Sequence, residues 1–138
     1  MRRVLFVCTG NICRSPMAEY LARAGSSDPS LEFASAGTHV IAGQHPSDGA
    51  VAVMDELGID ISGHRSQTVW DVAAEADVLV ALAADHVGAL GRLLTDRIDD
   101  IVSLKPDGGS VADPYGLSLS AYRATRVEIA AAVEDHSF

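Results

Sequence analysis

The feature that most constrains the fold is an apolar run at residues 4–7 that ends directly at a polar loop and is followed by a helical pattern. The run, VLFV, is rich in β-branched residues and predicts a buried strand. Ser15 and Pro16 are typical of a helix N-cap and first helical position, and Gly25 fits the end of that helix. Residues 8–15 are therefore predicted to connect a strand to the N-terminus of a helix.

The rest of the chain repeats the alternation of strand and helix. Further strands are predicted at 31–36, 78–83 and near 100–104, and further helices at 47–58, 70–76, 86–94 and 118–136. This order indicates a single α/β domain over residues 1–138 with a mostly parallel sheet. In such folds ligands bind beyond the carboxyl ends of the strands. The loops at 8–15 and 105–116 both follow predicted strands, so we expect them to meet at one edge of the sheet.

Composition narrows the function classes. The formal net charge of −9 argues against general nucleic-acid binding, and no apolar run is long enough to span a membrane. Cys8 and Cys13 are the only cysteines, too few for a disulfide framework, which favours a reducing, cytoplasmic compartment. No histidine cluster accompanies them, so neither a zinc site nor any other metal site is predicted.

The loop at 8–15 has the composition of an anion-binding site. Backbone N–H groups at a helix N-terminus converge on one point, and the helix dipole adds to their field. Gly10 and Asn11 tolerate the unusual backbone angles that such a loop requires. Arg14 offers a planar pair of donors to two phosphate oxygens. The same field stabilises Cys8 as a thiolate, which would lie beneath a bound phosphorus atom.

A simpler interpretation treats Cys8 as a core cysteine and Arg14 as a surface arginine, since a bare Cys-x5-Arg spacing often arises by chance. Here the spacing is combined with a preceding apolar strand, a Gly-Asn turn and a Ser-Pro helix start. The combination favours an active site in which a cysteine attacks a phosphate ester.

The same segment carries a family resemblance. VLFVCTGNICRSPMAEY, at 4–20, resembles the signature of the low-molecular-weight protein tyrosine phosphatases. The similarity continues through SAGT at 35–38, GIDISGHR at 58–65 and ADPYG at 112–116, and so covers nearly the whole chain in order. The resemblance implies a four-stranded parallel sheet with helices on both faces. It also implies hydrolysis through a phosphocysteine intermediate, without a metal or another cofactor.

Matching positions give the catalytic residues that the resemblance implies. Cys8 is the nucleophile, and Arg14 clamps the equatorial phosphate oxygens. Asp113 is the general acid that protonates the leaving oxygen and then the base that activates water. On spacing alone, Asp113 before a proline is equally a common turn starter. The phosphate-binding loop comprises Thr9, Gly10, Asn11, Ile12, Cys13, Arg14 and Ser15.

The resemblance also implies residues that support the loop. Ser15 hydrogen-bonds the Cys8 thiolate, while Asn11, Ser35 and His64 form a polar network that holds the loop in shape. From residue type alone, Ser35 could equally be an ordinary serine at a strand end and His64 an ordinary buried histidine. Cys13 matches a second loop cysteine that forms a reversible disulfide with Cys8 under oxidant, which protects the nucleophile from overoxidation. A plain packing role for Cys13 stays open.

The substrate is less strongly specified. HRSQTV at 64–69 and DPYGLSLSAYRATR at 113–126 also resemble the protein-arginine phosphatases of the same superfamily, whose loop has Thr at the position of Ile12. A branched apolar side chain at the pocket wall favours a flat phenol, whereas a Thr hydroxyl could hydrogen-bond a guanidino group. One such residue contributes only about 1–3 kcal/mol of discrimination. Ile12 therefore favours phosphotyrosine, with phosphoarginine as the alternative.

Two stretches depart from the tyrosine phosphatases. Ala83 stands where many members have an acidic residue, and Val40 or Ile41 replaces the large aromatic wall residue of eukaryotic members. Both changes affect substrate preference, not the chemistry. Tyr115 could stack against an aromatic substrate or pack on its own loop. Trp70 is predicted to be a packing residue.

Two further function classes share the scaffold. The thioredoxin-linked arsenate reductases need cysteines outside the loop, and this chain has none there. An inactive phosphoprotein-binding module would be expected to lack the nucleophile, the arginine or the acid, and Cys8, Arg14 and Asp113 are all present. The predicted partner is thus a phosphorylated protein substrate, with neither nucleic acid nor membrane. The oligomeric state is not predicted.

Overall fold

The computed structural model describes residues 1–138 as one four-stranded parallel sheet with five α-helices. The strands run in the order β2-β1-β3-β4, which confirms the predicted α/β class. The strands are β1 (Arg2–Cys8), β2 (Leu31–Gly37), β3 (Val78–Ala81) and β4 (Ile101–Ser103). The helices are α1 (Arg14–Gly25), α2 (Asp48–Asp55), α3 (Val69–Val72), α4 (Ala84–Leu93) and α5 (Leu119–Asp135).

Helices cover both faces of the sheet because the buried strand β1 is apolar on both sides. Val4 and Phe6 point into a core with α1, α2 and α5, while Leu5 and Val7 point into a second core with α3 and α4. Successive side chains of a strand face opposite sides, so a continuous apolar run supplies both cores at once. This explains why VLFV does not alternate with polar residues.

Helix α1 begins two residues earlier than the Ser-Pro pattern predicts. Arg14 is its first residue and Cys13 is the N-cap, with no side-chain cap hydrogen bond. Ser15 lies inside the first turn, because its hydroxyl is engaged with Cys8 instead of with the helix backbone. The prediction of Ser15 as N-cap is therefore wrong, although Gly25 ends the helix as expected.

Two smaller predictions, the end of the second helix and the packing of Trp70, are also wrong. The helix predicted over 47–58 ends at Asp55, and the chain then turns through Gly58, which has a φ of +73°. Trp70 does not pack into the core, since it is 61 % exposed and Val69 is the buried residue of α3. No helix is long and apolar enough to cross a membrane.

The carboxyl ends of the central strands place two distant loops side by side. Leu82, just after β3, donates its backbone N–H to Val7 O of β1 at 3.1 Å and accepts from Val111 N at 2.9 Å. The loop that leaves β1 and the loop that leaves β4 therefore lie at the same edge of the sheet, where the sequence places the candidate nucleophile and the candidate acid.

Candidate active site

The loop between β1 and α1 contains one residue with a strained, left-handed backbone conformation. Asn11 has a φ of +57° and is the only non-glycine residue in the left-handed region. Gly10, for which the sequence predicts a similar freedom, does not have a positive φ. A left-handed backbone costs an L-residue roughly 1–2 kcal/mol, least for Asn, so the surroundings must hold it in place.

Hydrogen bonds from four residues hold Asn11 in this conformation. Its side-chain Nδ2 donates to Ser15 Oγ at 2.8 Å and to Ser35 Oγ at 3.0 Å. Its Oδ1 accepts from Gln67 N at 3.0 Å, and its carbonyl oxygen accepts from His64 Nε2 at 2.8 Å. The structure thus brings the predicted Ser35 and His64 to the loop and adds Gln67, which has no signal in the sequence.

Cys8 lies at the end of β1, buried, with its Sγ atom 2.9 Å from Ser15 Oγ. Ser15 Oγ accepts from Asn11 Nδ2, and its hydroxyl hydrogen has two acceptors within reach, the Cys8 sulfur at 2.9 Å and Ala36 O at 3.4 Å. The Ser15 hydroxyl and the N-terminus of α1 therefore meet at the Cys8 sulfur, which lies at the floor of the loop.

Arg14 and Asp113 meet above this floor. The buried Arg14 guanidinium donates from Nη1 to Val111 O at 3.1 Å, and its Nη2 lies 3.7 Å from Asp113 Oδ2. Asp113 itself is exposed, and its Oδ1 accepts from Tyr115 N at 3.1 Å in a local turn. Each side chain is thus anchored in the loop after β4 by one polar atom and pairs with the other side chain through a second.

A buried glutamate supports the loop from below. Glu19 of α1 is buried, pairs with Arg23 one turn later, and accepts from Ser35 Oγ at 2.6 Å. Its carboxylate also lies 3.9 Å from His64 Nδ1. Burial lowers the pKa of His64, while its bond to the Asn11 carbonyl and the Glu19 charge act in the opposite direction. The i,i+4 spacing of Glu19 and Arg23 predicts a pair, but nothing local indicates that the pair lies under the loop.

Cys13 lies in a separate polar cluster behind the loop. Its Sγ atom is 3.0 Å from Ser47 Oγ and 3.5 Å from Tyr122 OH, and Tyr122 OH also donates to Ser47 Oγ at 3.1 Å. Burial raises the pKa of the Cys13 thiol and raises the pKa of Tyr122 to about 12. Cys13 is therefore held as a neutral thiol. Both cysteines are free.

The wall residues named from the sequence occupy different environments. Ile12 is half-buried, and its carbonyl oxygen accepts from Ser47 N at 2.9 Å. Ile41 is 72 % exposed and Tyr115 is 64 % exposed. Tyr115 is thus not packed into its own loop and is available to a substrate. Val40 is half-buried, which leaves Ile41 as the exposed aliphatic residue of its stretch.

Comparison with known proteins agrees with this geometry. The family model for low molecular weight phosphotyrosine protein phosphatases matches residues 3–136. This chain belongs to that family. A crystal structure of a low molecular weight protein tyrosine phosphatase from T. tengcongensis superposes with a TM-score of 0.91 at 38 % identity, over 97 % of this chain and 96 % of the other.

Two relatives are named for other substrates. A protein-arginine-phosphatase of Geobacillus stearothermophilus is 34 % identical over 92 % of this chain and 88 % of its own length. A glutaredoxin arsenate reductase of Synechocystis is 33 % identical over 98 % of this chain and 95 % of its own length. Family membership thus establishes the fold and a cysteine-dependent hydrolase class.

Proposed function

We propose that this phosphatase hydrolyses phosphotyrosine in proteins through a cysteinyl-phosphate intermediate, with Cys8, Arg14 and Asp113 as its catalytic residues. The observation that carries the proposal is their convergence. The Cys8 sulfur lies at the floor of a loop at a helix N-terminus, and the Arg14 guanidinium lies 3.7 Å from the Asp113 carboxylate at the same edge of the sheet. Cys8 supplies the nucleophile, Arg14 the positive charge that binds the phosphate oxygens, and Asp113 the proton.

In the first step, the Cys8 thiolate attacks the phosphorus atom and the bond to the tyrosine oxygen breaks. Loop N–H groups and Arg14 bind the phosphoryl oxygens, where charge is held during transfer. Asp113 gives its proton to the leaving phenolate oxygen. In the substrate-free structure Asp113 is the ionic partner of Arg14. A bound phosphate dianion would take over that partnership, and Asp113 would then take up from solvent the proton that it gives to the leaving oxygen.

In the second step, Asp113 acts as a base. It removes a proton from a water molecule that attacks the phosphocysteine, the S–P bond breaks, and inorganic phosphate leaves. The thiolate of Cys8 is regenerated and accepts the Ser15 hydroxyl again. The Asn11 side-chain amide donates to both Ser15 and Ser35, and so holds Ser15 in place beside the Cys8 sulfur.

Phosphotyrosine is favoured over phosphoarginine by the side chains around the loop. Ile12 offers no hydroxyl to a guanidino group, and the exposed Ile41 and Tyr115 provide apolar surface for a phenol ring. The protein-arginine-phosphatase relative keeps phosphoarginine as the second candidate. The free thiols are consistent with work in a reducing compartment such as the cytoplasm.

The test is to measure kcat/KM on matched phosphotyrosine and phosphoarginine peptides, for the parent and for Ile12→Thr. We expect a phosphotyrosine preference in the parent that falls in the variant by about 5- to 100-fold, the range that one wall residue supplies. A phosphoarginine preference in the parent would contradict the proposal and identify the enzyme as an arginine phosphatase.

Arsenate reduction is less favoured. Cys8 and Cys13 are the only thiols, and neither lies outside the loop to relay a disulfide to a reductant. If the parent reduces arsenate with glutaredoxin and glutathione at a rate comparable to its hydrolysis of aryl phosphates, this assignment is wrong.

A further inference from the structure

His86 is a buried histidine beside the active-site loop that the mechanism above does not use. It lies in the first turn of α4, directly beyond β3, and is 1 % exposed. Its Nε2 atom is 2.9 Å from Thr9 Oγ1. Thr9 is the residue that follows the nucleophile, so this bond joins α4 to the beginning of the anion-binding loop.

The other ring nitrogen identifies the donor in this bond. His86 Nδ1 is buried and has no hydrogen-bond partner. A hydrogen on that atom would be a buried unpaired donor, which costs about 1–3 kcal/mol. The neutral ring with its hydrogen on Nε2 leaves Nδ1 as an unpaired acceptor, which proteins tolerate better than an unpaired buried N–H, and this form donates to Thr9 Oγ1. The hydroxyl hydrogen of the exposed Thr9 is then free to point away from α4.

The surrounding charges favour the same neutral form. The charges that act on the pKa of His86 come from Arg14 of α1, Asp113 of the loop after β4 and Asp85 of its own helix. Burial and the Arg14 charge lower the pKa of His86, and the two carboxylates offset part of this effect. His86 can therefore donate a hydrogen bond without placing a second positive charge beside Arg14.

Apart from the contacts of Arg14 with the loop after β4, the loop is held from the side of β2. Asn11 is bonded by Ser35, Gln67 and His64, all of which lie in or after β2. On the opposite side, the His86–Thr9 bond joins the loop to the helix after β3. A loop fixed on one side only would be free to shift its first turn, and with it the N–H groups that face the anion.

We propose that His86 is a positioning residue of the anion site, which donates to Thr9 and thereby holds the backbone after Cys8 in its phosphate-binding shape. This role rests on the anion site of the proposed function and is independent of which phosphoamino acid is the substrate. Inorganic phosphate is therefore the appropriate probe.

The experiment is a double-mutant cycle on the dissociation constant of inorganic phosphate, measured by calorimetry. His86→Leu and Thr9→Val each remove one partner, and we expect each to weaken phosphate binding by about 3- to 10-fold, the range that one intramolecular hydrogen bond supplies. The double variant should be no weaker than the poorer single variant, because both break the same bond. Thr9→Ser keeps the hydroxyl and should restore binding to within about twofold of the parent.

A matched control separates this bond from the general burial of a histidine. His136 also has a buried, unpartnered Nδ1, and lines a 730 Å³ cavity between α1 and α5 together with Arg2 and Phe33. His136→Leu should leave phosphate affinity unchanged. Unchanged affinity in a folded His86→Leu, or multiplicative effects in the double variant, would overturn the proposal. If the parent itself did not bind phosphate, the anion site and the proposed function would both be contradicted.

A spectroscopic measurement tests the direction of the bond. The ring ¹⁵N shifts of His86, assigned by their loss in His86→Gln, should show a neutral ring protonated at Nε2 at neutral pH. Thr9→Val should change these shifts, because the acceptor is lost. A hydrogen on Nδ1, or an imidazolium at neutral pH, would contradict the role of His86 as a neutral donor.

Discussion

At the scale of single residues, the active site uses side chains for tasks that their local sequence does not indicate. Ser15 precedes a proline and has the pattern of an N-cap, yet its hydroxyl contacts the Cys8 sulfur. Glu19 and His86 lie in helical patterns and have no distinguishing spacing, yet both reach the loop or its support. The contacts of Glu19 and His86 join residues far apart in the chain, so only the folded structure reveals them.

Asp113→Ala tests the assigned acid. The variant should slow hydrolysis of a phosphotyrosine peptide by about 10²- to 10⁴-fold, the usual contribution of a positioned proton donor. An aryl phosphate whose phenol is strongly acidic needs no proton on departure, so its rate should fall much less. The measurement is kcat for both esters. Equal losses on the two would show that Asp113 does not protonate the leaving group.

The protonation state of Cys13 gives a pH-dependent prediction. Because burial raises the pKa of this thiol, alkylation of Cys13 in a Cys8→Ser background should become fast only at alkaline pH. The Ser47 and Tyr122 hydroxyls lower the pKa of Cys13, so Ser47→Ala should move the alkylation profile to still higher pH. Iodoacetamide labelling followed by mass spectrometry gives both profiles. A shift to lower pH in Ser47→Ala would refute the assigned hydrogen bond.

At the scale of secondary-structure elements, the backbone at the end of β2 packs closely against the backbone of the active-site loop. A Cβ atom on Gly37 would lie 2.4 Å from Thr9 O and 2.4 Å from Val40 Cγ2. The backbone oxygen cannot move without the loop, so this position admits only glycine. The register of β1 and β2, which pairs Cys8 with Gly37, places this contact beside the nucleophile.

Gly37→Ala should therefore disturb the active-site loop, although the substitution adds only one methyl group. We expect unfolding free energy to fall by about 1–3 kcal/mol from overpacking, and kcat/KM to fall as the loop shifts. Denaturant titration and steady-state kinetics measure the two effects. Gly25→Ala is the control, since its Cβ would meet nothing within 4 Å. A Gly37→Ala protein with parent stability and activity would refute the tight contact.

The contact between α2 and α5 is stabilised by charge. Glu56, the residue after α2, pairs with Arg123 and Arg126 of α5, and the Arg123 and Arg126 side chains lower the pKa of Glu56 to about 2. A carboxyl group with a lowered pKa stabilises the fold above its unfolded pKa, and this contribution disappears as the pH falls through the folded pKa.

Glu56→Gln should accordingly lower the melting temperature at neutral pH, and the difference from the parent should shrink between about pH 4.5 and pH 2. Asp99→Asn is the control, because the exposed Asp99 makes no ion pair and its removal should have little effect at any pH. A Glu56→Gln deficit that does not change with pH would show that packing, not charge, joins these helices.

At the scale of the whole molecule, the hydrophobic pattern and the residues typical of helix ends and loops are enough to predict the α/β fold class. The four strands, the parallel sheet and the adjacency of two loops follow from VLFV-type runs alternating with helical segments. The hydrogen bonds that hold the active-site loop do not follow from this pattern, because they depend on which buried polar groups meet after folding. Gln67 and His86, for example, contact the loop from two different sides of the sheet.

The most direct test of the central claim is to trap the covalent intermediate. A phosphotyrosine peptide is mixed with the enzyme, turnover is stopped with acid, and the phosphorylated residue is located by mass spectrometry. We expect phosphate on the Cys8 sulfur, also in Cys13→Ala, and none in Cys8→Ala, which has no nucleophilic side chain at this position. Phosphate on Cys13, or turnover of the peptide in Cys8→Ala at the parent rate, would contradict the assignment of Cys8 as the nucleophile.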